Sequence, residues 1–133
     1  MGRLRRTHGF TLIELMVVMA IIVILASIGT AMYTNSLKRS KEAVLKEDLF
    51  RMRDAIDQYY ADKNKYPASL DELVSEKYLR AIPVDPMTNS SDTWQTTPAE
   101  PDPGGNPTGE LGIFDVKSGT DQTAIDGTNY SEW

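Results

Sequence analysis

Cysteine is absent from this chain of 133 residues, and histidine occurs once, as His8. Small exported domains often depend on disulfides, so a folded part without them must be held together by packing, by a metal or by neighbouring molecules. The shortage of Cys and His also removes the usual Ser/His and Cys/His arrangements for nucleophilic catalysis. These absences predict that the protein is not an enzyme.

Basic side chains are in the minority, with 14 Lys and Arg against 19 Asp and Glu and a formal net charge of −5. Three of the basic residues, Arg3, Arg5 and Arg6, are crowded into the first six positions. Nucleic-acid binding requires clustered Lys and Arg on the folded part of a protein. The charge balance therefore predicts no nucleic-acid partner.

Charge is almost missing from residues 10–33, where Glu14 is the only charged side chain. A helix of this length spans the membrane core, which requires about 20 apolar residues. A secretory signal peptide and a plain single-pass anchor are the two ordinary interpretations of such a run. Neither explains Glu14, because a carboxylate inside a membrane helix costs about 2.5 to 3.5 kcal/mol and usually marks a functional pairing.

The start of the chain resembles the class III signal of type IV pilins and pseudopilins. The resemblance rests on a basic leader that ends in Gly9 and is followed by Phe10-Thr11-Leu12-Ile13-Glu14-Leu15. It implies that a prepilin peptidase cleaves between Gly9 and Phe10 and that the new amine of Phe10 is methylated. The chain then divides into a leader at 1–9, a transmembrane and assembly helix at 10–33, and a periplasmic domain at 34–133.

The same resemblance implies an assembly role for Glu14. Cleavage before the apolar run leaves that run attached to the mature protein. In a stack of identical helices offset along one axis, Glu14 of one subunit can meet the Phe10 amine of its neighbour. A charge that is costly in a lone helix is then paired in the assembly. The expected product is a homopolymer anchored in the membrane.

An amphipathic helix is predicted to continue from Thr34 to about Ala61. Apolar residues recur there at spacings of three and four, and mixed charges occupy the other faces. The apolar stripe is typical of a helix that packs against its own domain and consists of Leu45, Leu49, Met52, Ile56 and Tyr59.

Shorter elements are predicted beyond this helix. Pro67 closes it, and residues 69–74 form a second helix with Ser69 as N-cap. Residues 78–86 are an extended connection, because prolines stand at positions 83 and 86. The long helix and a small antiparallel sheet give an α+β, pilin-like fold.

A sheet of two or three strands, laid on the amphipathic helix, completes the predicted domain. A first strand is expected around 93–96, a loop without regular structure at 98–109, and the better strand at 111–117. In the second strand Leu111 and Ile113, and also Phe114 and Val116, are the candidates to face the helix.

The segment from Tyr66 to Pro86 resembles the region after the long helix in the major pseudopilin of type II secretion systems. The resemblance implies a structural subunit of a pseudopilus that drives export of folded proteins across the outer membrane. It places the chain in the inner membrane as a single-pass protein with its C-terminal domain in the periplasm. The implied partners are minor pseudopilins, an inner-membrane assembly platform with its ATPase, and the prepilin peptidase.

Two other functions stay open from the sequence. A major pilin of a type IV adhesion or motility filament would share the N-terminal segment. A membrane-tethered binding module that never polymerises is a third interpretation, although Glu14 argues against it. The absence of cysteine favours the pseudopilin, because many type IV pilins carry a C-terminal disulfide loop.

The C-terminal segment contains the one candidate metal site. Calcium prefers six to eight hard oxygen ligands in a flexible loop, whereas Asp and Gly in such a loop are also typical of an ordinary turn. The major pseudopilin has a Gly-x-Asp calcium loop here, and Gly119-Thr120-Asp121 falls in that place. The resemblance implies side-chain ligation by Asp121 and Asp126 and carbonyl ligation by Ser118 and Thr123. The return of the loop is shorter than is usual in the family.

Overall fold

The computed structural model describes residues 9–100 and 111–133, together with Gly2. The leader arginines and His8 lie outside the described residues, as does most of the predicted loop at 98–109. Contacts divide the chain into two compact units, Met1–Leu37 and Lys38–Trp133. A single helix, α1, runs from Leu12 to Lys63 through both units.

The first unit consists of the apolar part of α1 and the residues before it. Every residue described in this unit is exposed, including a continuous series of Ile, Val, Leu and Met side chains. Of the described helices, α1 alone is long and apolar enough to cross a membrane by length and composition. Exposed apolar surface over the whole circumference of a helix is typical of a segment that lies in lipid.

The second unit folds around the amphipathic part of α1. The buried residues of α1 follow the predicted spacing. They comprise all five predicted apolar positions and Ala55. Helix α1 ends at Lys63, two residues later than predicted, where Asn64 adopts a left-handed conformation with φ 54°. Asn64 also donates its N–H to the carbonyl of Tyr60 at 2.9 Å, a common way to terminate a helix.

Helix α2, Leu70–Ser75, confirms the predicted short helix. The Ser69 hydroxyl accepts a hydrogen bond from the N–H of Glu72 at 3.3 Å, as expected for an N-cap. Tyr59 of α1 donates its hydroxyl proton to the Glu72 carboxylate at 2.7 Å. This hydrogen bond lowers the pKa of Glu72 and raises the pKa of Tyr59 to about 12.

Two antiparallel strands, β1 at Gln95–Pro98 and β2 at Ile113–Lys117, form the sheet. The first strand begins two residues later than predicted and includes Pro98, which was predicted to lie in the loop. The prediction for β2 was wrong at its start, since Leu111 precedes the strand and is exposed. A 3-10 helix, Tyr130–Glu132, ends the described chain.

A bulge in β2 explains which side chains face the core. The register pairs Thr97 with Asp115 but Pro98 with Ile113, so Phe114 is an extra residue in the ladder. A bulge shifts the alternation of side chains by one position. Ile113 and Val116 are therefore both buried although they are three residues apart, whereas Phe114 is 55% exposed.

Candidate functional site

The N-terminal end of α1 is held by a reciprocal pair of hydrogen bonds between Thr11 and Glu14. The backbone N–H of Thr11 donates to Glu14 Oε2 at 3.1 Å, and the N–H of Glu14 donates to Thr11 Oγ1 at 3.3 Å. This is a capping box, in which a hydroxyl residue and a Glu three positions later satisfy each other's backbone donors. The Thr-x-x-Glu spacing is the sequence signal for this cap, which was not among the predicted features.

Because the cap fixes where α1 begins, it also determines that the predicted cleavage site lies outside the helix. Because α1 begins at Leu12, Gly9 and Phe10 lie outside the helix in chain without regular structure. Both residues are exposed, and the Phe10 side chain is 86% exposed. The peptide bond between them is therefore in accessible, non-helical chain directly before a fixed helix end.

The four predicted calcium ligands lie in or beside the C-terminal loop, in different environments. Ser118 is completely buried, and its hydroxyl donates to Asp85 Oδ2 at 2.5 Å, so that side chain serves the fold. Asp121 and Asp126 are exposed. Among residues 9–100 and 111–133, no three Asp, Glu, His or Cys side chains are grouped where they could hold a metal ion. A cation here would depend on backbone carbonyls.

Thr123 and Asp126 already make contacts relevant to cation binding. The carbonyl of Thr123 accepts a hydrogen bond from the Lys38 ammonium group at 2.8 Å. Asp126 Oδ1 accepts from the hydroxyl and the N–H of Thr128, at 2.6 and 3.0 Å. The hydrogen bond from the Thr128 hydroxyl, and to a smaller extent the one from its N–H, hold the pKa of Asp126 below its usual range. Asp126 is therefore a carboxylate at neutral pH.

The glycine of the Gly119-Thr120-Asp121 sequence has a packing role. A Cβ atom at Gly119 would collide with the backbone carbonyl of Thr93. The chain can approach that carbonyl so closely only because glycine has no side chain. The close approach fixes the loop against the segment before β1, whether or not a metal is bound.

Three polar residues that were not predicted to be functional hold the C-terminal segment in place: Glu42, Asp85 and Arg53. Glu42 Oε1 accepts hydrogen bonds from the Ile125 N–H and the Tyr130 hydroxyl, both at 2.8 Å. Asp85, which is completely buried, also accepts from the N–H of Met87 at 2.8 Å. Arg53 is the third and binds β2. Asp85 precedes Pro86, and an Asp-Pro pair is a local signal for a turn. The neighbours of Glu42 and Arg53 in the sequence contain no signal for the distant residues that these two side chains contact.

Comparison with known proteins agrees with these features. A family model described as "Prokaryotic N-terminal methylation motif" matches residues 4–30. Together with a membrane-length helix that continues into a small α+β domain, this motif defines a pilin-like protein. No solved structure matches the chain.

The curated relatives show to which family the chain belongs. The "Type II secretion system core protein G" of Aeromonas hydrophila is 32% identical over 101 residues, which cover 64% of this chain and 71% of the relative. The protein of the same name from Pseudomonas aeruginosa is 34% identical over the same length. A "Type IV major pilin protein PilA" from Myxococcus xanthus is 38% identical over 68 residues but is covered over only 31% of its length. The chain belongs to the type II secretion system core protein G family.

Proposed function

We propose that the chain is the structural subunit of a type II secretion pseudopilus, which polymerises through its N-terminal helix and drives export of folded proteins across the outer membrane. The observation that carries this proposal is an exposed apolar helix with one carboxylate near its capped N-terminus, in a chain of the core protein G family. The second candidate, a type IV major pilin, is favoured by two shorter matches, to PilA and to a fimbrial protein, EcpC.

Assembly begins with processing in this proposal. The prepilin peptidase cleaves the accessible Gly9–Phe10 bond and methylates the Phe10 amine. The mature chain stays in the inner membrane through residues 10–33, with the domain at 34–133 in the periplasm. A platform protein with its ATPase and the minor pseudopilins are the other partners.

Glu14 links subunits in the polymer. Its carboxylate accepts one hydrogen bond from Thr11 in the monomer, and a carboxylate has acceptor positions for more. The Phe10 amine of a neighbouring copy is a donor of the right charge. The capping box keeps the carboxylate at the helix end, next to the residue that carries this amine in its own chain.

A Glu14→Ala variant tests this assembly role. We expect it to insert into the membrane and to be cleaved, because the apolar run and the scissile bond are unchanged. Filaments should be reduced at least tenfold, measured as sedimentable polymer after membrane shearing. Thr11→Ala is the matched control, since it removes a capping hydroxyl but keeps the carboxylate, and it should assemble better than Glu14→Ala. Normal assembly of Glu14→Ala would contradict the role of Glu14.

Calcium is proposed as the ligand of the C-terminal loop. Asp121 and Asp126 would supply carboxylates, and Ser118 and Thr123 would supply carbonyls. One observation supports it: hydrogen bonds from Thr128 lower the pKa of Asp126 and so favour its charged form. Bound Ca²⁺ would supply charge neutralisation and a crosslink within the loop.

A further inference from the structure

Lys38 and Glu42 of α1 are one helical turn apart, and both bind the C-terminal loop. An ammonium group and a carboxylate at this spacing lie on the same helix face and can pair with each other. Within residues 9–100 and 111–133 they form no salt bridge. The Lys38 ammonium group donates instead to the carbonyl of Thr123 at 2.8 Å. Glu42 accepts from the N–H of Ile125, so two opposite charges hold the loop at two nearby points.

The Thr123 carbonyl has a fixed position in the loop. The residues around it are paired across a short turn. The N–H of Ala124 donates to the carbonyl of Thr128 at 2.6 Å, and the N–H of Tyr130 donates to the carbonyl of Gln122 at 3.1 Å. The Thr123 carbonyl is therefore presented to any cation in one place, and different cations must share the same oxygen.

This carbonyl is also one of the oxygen ligands proposed above for calcium. Calcium binds oxygen at about 2.3 to 2.6 Å. With the Lys38 nitrogen at 2.8 Å from the same oxygen, the two cations would be no more than about 5.4 Å apart. Like charges at this distance repel each other. The ammonium group and a calcium ion are therefore alternatives at the Thr123 carbonyl.

We propose that Lys38 is an internal cation of the C-terminal loop, which occupies the Thr123 carbonyl in the metal-free chain and leaves it when a divalent cation binds. The ammonium group keeps the loop docked on α1 without calcium. It also lowers the calcium affinity, because a group that must leave a site weakens the ligand that replaces it. This inference rests on the calcium site of the proposed function and adds the residue that sets its affinity.

Lys38→Met tests this role, because methionine is similar in length but has neither a charge nor an N–H donor. The full chain in detergent micelles is titrated with calcium chloride, and the melting temperature and the calcium Kd are measured. In chelator the variant should melt a few degrees below the wild type, because the loop loses one contact with α1. Its calcium Kd should be lower by about fivefold or more, the lower end of the coupling usual between two ligands.

The opposite signs of these two effects distinguish an internal cation from an ordinary structural contact. Replacing a residue that only holds the loop in place would lower the melting temperature in chelator and weaken calcium binding as well. Lys38→Arg keeps the charge and supplies N–H donors, so both of its values should stay near those of the wild type. A calcium Kd for Lys38→Met that is equal to or higher than the wild-type value would overturn the proposal.

Lys41→Met controls for the loss of one positive charge. Lys41 is on the same helix but is exposed, whereas Lys38 is half-buried. Salt screens an exposed charge, so the calcium Kd of Lys41→Met should change by less than about twofold. An equal gain in affinity in the two methionine variants would show a general effect of net charge and would contradict displacement at the Thr123 carbonyl.

The titration also separates this inference from the site on which it rests. If the wild-type chain responds to calcium and Lys38→Met shows no gain in affinity, the calcium site stands and the role of Lys38 is wrong. If the wild-type chain shows no response to calcium, both the site and the role of Lys38 are wrong. Neither result changes the proposed polymeric function, which is tested separately through Glu14.

Discussion

Arg53 joins three parts of the second unit through one guanidinium group. It donates to the Asp115 carboxylate at 2.8 Å, to the carbonyl of Val116 at 3.0 Å and to the carbonyl of Trp133 at 2.6 Å. A planar guanidinium has several donors in a fixed arrangement, which lysine cannot reproduce. Arg53 therefore fixes α1 to β2 and to the end of the described chain in a domain that has no disulfide.

Replacing Arg53 should destabilise the domain measurably. We expect Arg53→Ala to lower the free energy of unfolding by about 1.5 to 3 kcal/mol, the range for hydrogen bonds that involve a charged group. Arg51→Ala is the control, because Arg51 pairs with the exposed Glu47 one turn away and its replacement should cost less than about 0.5 kcal/mol. Denaturant unfolding of the full chain in detergent micelles measures both. Equal losses in the two variants would contradict the role of Arg53.

Single residues also show where sequence reasoning stops. Ser69 was predicted as a helix cap because capping depends on neighbours in sequence, and the structure confirms it. Arg53 and Glu42 were assigned only to a solvated helix face. Their partners are 62 or more residues away in the sequence. Contacts of that kind arise from the fold as a whole and leave no local pattern.

Among the elements, β2 shows how one extra residue changes the core. Of the four residues predicted to face the helix, Ile113 and Val116 are buried, whereas the prediction was wrong for Leu111 and Phe114. The antiparallel direction of the strands was predicted correctly. The bulge at Phe114 was not predicted, because it depends on the pairing between β2 and β1. Phe114 instead forms an edge-to-face pair with Tyr66, with ring centres 5.8 Å apart.

The bulge predicts a large loss of stability for one substitution in β2 and a small loss for the substitution next to it. Ile113→Ala removes a buried side chain and should cost about 2 to 5 kcal/mol of stability. Phe114→Ala removes a larger side chain, but one that is half exposed, and should cost less than about 1.5 kcal/mol. Thermal unfolding of the two variants side by side checks the order. A greater loss for Phe114→Ala would mean that β2 has the regular register.

At the scale of the whole molecule, the most local signals were the most informative. The apolar run, the motif around Glu14 and the spacing of the α1 stripe each depend on nearby residues, and they identified the long helix and the class of protein. The C-terminal loop was predicted less completely than the long helix. The sequence indicated its two carboxylates, but the buried Asp85 and the close approach at Gly119 are products of tertiary packing.

Calcium binding should stabilise the whole second unit, because the loop contacts α1 through Glu42. We expect the melting temperature of the full chain in micelles to fall by several degrees when millimolar calcium is replaced by chelator. The double variant Asp121→Asn with Asp126→Asn is the control and should show no calcium-dependent shift. Identical melting curves for the wild-type chain in calcium and in chelator would reject the site.

The most direct test of the account is a deletion of this gene in its own host. Proteins in the culture supernatant and filaments on the cell surface are measured in the same cultures, with the wild-type chain restored as the control. We predict that exported proteins disappear from the supernatant, that surface filaments remain, and that the restored chain recovers secretion. Loss of surface filaments with normal secretion would contradict the account and assign the chain to a type IV pilus.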